Sequence, residues 1–121
     1  MDSTADRQRA LCDRLLDKTK DGTIKWDFDG FSDVPFTSFG EIRVELKFDS
    51  NRNEEPLVTV IISKEGFPID QFTDEDLPDQ PSVEGGRYRS YFELLCDLRQ
   101  IALRQAKGVD EVLDDLLRYL D

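Results

Sequence analysis

Histidine is absent from this chain, and cysteine occurs only twice, at Cys12 and Cys96. The first absence removes the commonest general base, the usual zinc ligand and every Ser-His or Cys-His nucleophile pair. Two scattered cysteines also exclude a structural zinc site. Both fall inside helical patterns, beside Leu11 and Leu95, and read as reduced thiols behaving as small hydrophobes. No run approaches the ~20 apolar residues of a membrane span. The opening Met1-Asp2-Ser3-Thr4-Ala5-Asp6-Arg7 has no apolar signal-peptide core. The expectation is a cytoplasmic protein, not an enzyme, with no cofactor, no metal and no membrane contact.

What the chain has in excess is negative charge. The formal net charge is −11, and two segments carry all of it. Residues 65–86 hold seven acids and no base, and residues 110–121 hold five acids and one base. A localised acidic surface repels nucleic acid and anionic membrane and attracts basic partners. At 121 residues the chain is of single-domain size and can bury a core without staples.

The apolar residues are phased as helices at both ends and as strands between. Leu11, Cys12, Leu15, Leu16 and Thr19 form a stripe at helical spacing over residues 5–20, capped by Ser3 or Thr4 and ended by Asp21-Gly22. Thr23 to Asp29 and Phe36 to Phe48 read as strands, the second bent or bulged at Gly40. Ile42, Val44, Leu46 and Phe48 alternate with charged residues, the pattern of an antiparallel strand with one wet face. Leu57 to Ser63 is a third strand with Val58, Val60 and Ile62 inward. Phe67 to Phe72 is a fourth, which Pro68 places at an edge. Ser90-Tyr91-Phe92-Glu93 is a capping box that opens a helix to about Lys107. Asp110 caps a last helix, in which Val112, Leu113, Leu116, Leu117 and Leu120 form a clean apolar face and Leu116 is expected in the core. The predicted fold is two-layer α+β, in the order α-β-β-β-β-α-α. It has an antiparallel four-stranded sheet, with the N-terminal helix and two C-terminal helices packed on one face.

Between the fourth strand and the capping box, residues 73–89 form a long segment without periodicity, and such loops are usually functional or disordered. Its acids and those of its approach, Asp70, Asp74, Glu75, Asp76, Asp79 and Glu84, do not fit the calcium-loop pattern of a Gly at position six and a Glu at twelve. They read as a solvated loop or as a contact surface for a basic partner, joined by Asp114 and Asp115 on the last helix. Asp27-Phe28-Asp29-Gly30 lacks the remaining calcium ligands and reads as a strand end and turn. Gly85-Gly86-Arg87 lacks the strand and the Gly-Lys-Ser/Thr ending of a phosphate loop. Phe28, Phe31, Phe36 and Phe39 are expected to fold back into the core.

Three stretches, Leu15 to Trp26, Ile61 to Gly66 and Val109 to Leu117, carry a resemblance. In them the chain resembles a group of small single-domain bacterial proteins with no established activity. The resemblance implies a bacterial, cytoplasmic, single-domain protein and no mechanism.

The function expected from these features is a non-catalytic acidic protein-interaction domain: an adaptor, a regulator or an immunity-type protein that binds a basic protein. The alternative is a nucleic-acid mimic that blocks a DNA- or RNA-binding site, followed by a carboxylate-dependent enzyme or metal-binding protein. No direct nucleic-acid contact is expected, and the chain is expected to be a monomer or weak homodimer.

Overall fold

Ser3 opens the first helix with a complete capping box. Its hydroxyl accepts from the Asp6 N–H at 3.1 Å, and the Asp6 carboxylate accepts from the Ser3 N–H at 3.1 Å. The computed structural model describes residues 3–121. The elements are α1 (Thr4–Lys20), β1 (Asp27–Phe28), β2 (Pro35–Phe39), β3 (Ile42–Ser50), β4 (Pro56–Lys64), β5 (Phe67–Thr73), a 3-10 turn (Asp74–Asp76), a single helical turn α2 (Val83–Gly86), α3 (Tyr91–Ala106) and α4 (Val109–Leu120). The class is α+β as expected. The sheet is a five-stranded antiparallel meander in the order β1-β2-β3-β4-β5, one strand more than expected.

The extra strand comes from Gly40. The span read as one bent strand over residues 36–48 is two strands, paired from Phe36↔Glu45 to Phe39↔Ile42. Gly40 sits at φ 64 in the two-residue turn between them. A positive-φ residue at the start of such a turn matches the twist of the flanking strands, and Gly adopts it without strain. The expected strand over residues 23–29 shrinks to Asp27–Phe28. Its backbone is held by side chains instead: the Gln105 carbonyl oxygen accepts from the Trp26 N–H at 2.7 Å, and the Thr37 hydroxyl donates to the Lys25 carbonyl at 2.8 Å.

β4 is the central partner of the larger half of the sheet. It pairs with β3 over nine positions, from Ile42↔Lys64 to Ser50↔Pro56. Val58 and Val60 on β4 face the same way as Val44 and Leu46 on β3, and all four are buried. Above them lie Cys12, Leu15 and Leu16 of α1 and Leu94, Leu95, Leu98 and Ala102 of α3. β5 is the edge strand, with Pro68 at the register shift beside Ile62 and Ser63, where a missing donor costs least. The segment 73–89 holds the 3-10 turn and α2, a left-handed turn in which Glu84, Gly85 and Gly86 sit at φ 56, 70 and 79, and it sends Leu77 and Tyr88 into the core.

Two further expectations fail. The segment from Phe28 to Phe39 does not return to the core: Phe31 is fully exposed, Phe39 is exposed, and Phe28 and Phe36 are half-buried. The last helix is not part of the helix layer that covers the sheet. Gly108, at φ 63, ends α3 and caps α4, and a Cβ there would lie 3.3 Å from the Glu111 carboxylate. Asp110, expected as the cap, lies within the first turn, where its charge still suits the helix dipole. Every residue from Asp110 onward is exposed, and Leu116, expected in the core, is 51% exposed.

On α3 the Ser90 hydroxyl accepts from the Glu93 N–H at 3.2 Å, while the Glu93 carboxylate accepts from the Arg89 N–H at 2.9 Å rather than from the cap residue itself. Half of the expected capping box is therefore present, and Ser90 is the half that satisfies a helical donor. Ser90→Ala is expected to cost about 1 kcal/mol, read as a lower denaturant midpoint with an unchanged slope. An unchanged midpoint would mean that the first turn of α3 is held by other contacts.

Candidate functional site

At ~100° per residue, the sequence of α4 divides cleanly. Val112, Leu113, Leu116, Leu117 and Leu120 fall on one side, and Asp110, Glu111, Asp114, Asp115 and Arg118 on the other. The five aliphatic residues are between 46% and 82% exposed. This is a long apolar stripe that the other described residues leave exposed. A twelve-residue helix is marginal by itself, since helices shorter than ~12–15 residues gain most of their stability from packing an apolar face. The stripe is therefore the strongest sign of a contact surface in the molecule.

Beside the base of α4 lies an open groove of about 400 Å³. Its apolar wall comprises Phe48 at the end of β3, Cys96 and Leu103 on α3, and Val109 at the start of α4. Its rim carries Arg99, Arg104 and Lys107 and no acid. The Arg99 guanidinium lies 5.6 Å from the centre of the Phe48 ring, and its Nε is buried without a hydrogen-bond partner. Arg104 reaches Asp110 at 3.6 Å and Lys107 reaches Asp33 at 2.9 Å.

The acids singled out in the sequence divide into two groups. Those before α3 are bonded within the chain. Asp70 accepts from the Gln8 amide at 3.2 Å, and Asp74 accepts from the Val58 N–H at 2.8 Å. Glu75 accepts from Asn51 at 2.9 Å, and Asp76 accepts from the Thr73 N–H at 2.9 Å, closing the cap of the 3-10 turn. Asp79 pairs with Arg9 at 2.9 Å and Glu84 with Lys20 at 2.9 Å. The segment is thus a strap stitched to β4, to the β3–β4 turn and to both halves of α1. Asp114 and Asp115 lie apart from it on the exposed polar side of α4, with Asp115 paired to Arg118.

Around the strap's far end, Tyr88 donates to Asp97 at 2.5 Å and its hydroxyl accepts from Lys20 at 3.2 Å. Burial works against the Lys20 charge, yet bonds to Glu84 and Tyr88 hold its ammonium above the ordinary value. Burial raises Tyr88, and the Asp97 bond raises it further. These groups tie the segment before α3 to α1. Burial pushes the Cys12 thiol up to about 12, so it is not a reactive thiolate. Asp29 accepts from the Phe31 and Ser32 N–H groups at 3.0 and 2.9 Å, which makes Asp27 to Gly30 the lead-in to a turn. Among the described residues, no group of three or more His, Cys, Asp or Glu side chains is placed to hold a metal ion. Among them too, no helix is long and apolar enough to cross a membrane.

Sequence reasoning found the apolar face of α4 but sent it to the core. It missed the groove, whose residues come from β3, α3 and α4 and carry no local signal. Compared with known proteins, the chain matches no family model, no curated protein and no solved structure.

Two measurements check the strap. Burial raises the Asp74 carboxyl above its ordinary 3.8, outweighing the bond from the Val58 N–H. The folded state then holds that proton more tightly than the unfolded chain does. The stability Asp74 contributes is full below the unfolded value and lost as pH rises through the folded one. Asp74→Asn keeps the acceptor oxygen and removes this loss. Its denaturant midpoint should therefore gain on the wild type as pH rises from ~3 to ~6, across the ordinary carboxylate range. Parallel curves would mean that Asp74 titrates like an exposed acid. Secondly, millimolar calcium should leave the melting temperature unchanged, because only a ligand of the native state raises it. A rise with calcium and not with magnesium would overturn the reading of the strap as internally bonded.

Proposed function

We propose that this domain is a non-catalytic protein-interaction module, an adaptor or regulator, whose contact element is α4. The observation that carries the reading is the stripe from Val112 to Leu120, exposed on a helix of only marginal stability by itself. Covering a leucine side chain fully is worth ~1.5–3 kcal/mol, so a receptive groove on a partner has a strong reason to take this face. The polar side sets the partner's charge. Asp110, Glu111, Asp114 and Asp115 against the single Arg118 favour an apolar groove rimmed by lysine or arginine. The carboxylates of the strap support the reading less, because each already has a partner in the chain.

The test separates contact from folding. The triple variant Leu113→Gln, Leu116→Gln, Leu117→Gln should change the unfolding free energy by no more than the ~0.5 kcal/mol per site usual at surfaces. It should also lose the partner recovered by the wild-type chain in parallel affinity captures. A loss of ~2–5 kcal/mol for any one of these leucines, the range for buried positions, would return α4 to the core and remove the proposal. So would capture of the same partner by both chains.

A further inference from the structure

The structure contains a surface that meets the requirements of α4, and it is on the same chain. We propose that the occupant of the α4 stripe is a second copy of this protein, with α4 of each copy lying in the other's groove between Phe48, Leu103 and Val109. This rests on the reading of α4 as a contact element and names its partner.

Three features support the pairing. The groove is apolar along its wall and basic along its rim, where Arg99, Arg104 and Lys107 stand, two of them paired just outside it, Arg104 with Asp110 and Lys107 with Asp33. The helix is apolar along one side and acidic along the other, so the two surfaces match in both respects. Secondly, Phe48 is 48% exposed, beyond the buried Val44 and Leu46 on the face of β3 that also carries the exposed Ile42 at its other end. A large aromatic left half-open in the groove with Leu103 and Val109 is apolar surface that a second copy can cover. Thirdly, α4 leaves α3 through Gly108 at φ 63, directly beside the groove's own Val109, with Arg104 of α3 reaching Asp110 in its first turn at 3.6 Å. Helix and receptor are thus neighbours on each chain, and a two-fold axis between two copies lets both docks form at once, as closed symmetric dimers require. The copies repel through their net charge of −11 each. At physiological ionic strength that repulsion is screened beyond ~8 Å, and the contact surfaces decide the outcome.

Sedimentation of the 121-residue chain tests this directly. The wild type should run at twice its 14.0 kDa at high concentration and dissociate on dilution. Leu116→Glu spoils the helix and leaves the groove. Phe48→Glu spoils the groove and leaves the helix, at a position outside the core, and circular dichroism confirms that both chains fold. Each variant alone should dissociate at least ~30-fold more readily, the loss expected of an interface hot spot. Mixed together, they should form a heterodimer, because one helix and one groove remain intact as a matching pair. A wild-type chain that stays monomeric at every concentration would overturn the second-copy proposal while leaving α4 open to a different protein. A dimer equally tight in both variants would overturn it as well, by placing the interface on another face. If neither variant alone dimerises and the mixture stays monomeric too, reciprocal docking is wrong.

Discussion

The nine-position ladder between β3 and β4 is the constraint on which the rest of the structure depends. Strand side chains alternate faces with a period of two, so the ladder commits Val44, Leu46, Val58 and Val60 to one side together. That shared apolar floor is what α1 and α3 cover, and the two helices in turn pack on each other. Slipping β3 by one residue would turn Val44 and Leu46 away from the helices and bring Glu45 and Lys47 under them; slipping β4 would do the same to Val58 and Val60. The register is thus strongly specified, and the short β1–β2 pairing, the edge strand and the strap are arranged around it.

Where a segment carries its own periodicity, the sequence was legible. The stripe Cys12, Leu15, Leu16 and Thr19 is buried as expected. Ser90 caps α3, Gly108 ends it, and Pro68 marks the edge strand. Errors arose where one local signal serves two geometries. A glycine inside an alternating run marks either a bulge or a tight turn. Gly40 makes a turn, and the pairing partner that decides between them, Phe36 opposite Glu45, lies outside any local window. Likewise, Thr23 to Asp29 has the alternation of a strand, but Gln105, 79 residues from Trp26, supplies the bond that a neighbouring strand would have made.

The candidate site was half legible for a related reason. Hydrophobic periodicity shows that a helix has a face to cover and is silent on what covers it. In α1 and α3 the cover is the sheet, while the α4 face is left exposed among the described residues. The phenylalanines from Phe28 to Phe39 show the same ambiguity, since composition favours the core and the turn built on Asp29 holds Phe31 out in solvent. Legibility was poorest for the acids. Charge runs suggested a free surface, but whether a carboxylate is free depends on donors such as Gln8, Arg9, Lys20 and the Val58 N–H, brought to it only by the fold.

The strap also separates two quantities that a charge count merges. A carboxylate bonded to a backbone N–H or an amide keeps its full charge, so Asp70, Asp74, Glu75 and Asp76 still contribute to the far field of the molecule. Asp79 and Glu84, each facing a cation, are cancelled within a few ångströms. In both cases the oxygens already occupied are less available to bond an incoming group. Such a segment acts on an approaching molecule through the potential it projects, which orients and accelerates or slows the approach, and contributes little once surfaces meet. The low isoelectric point of about 4.4 thus records how the protein looks from a distance, whereas the bonds of the strap decide which of its oxygens are free up close.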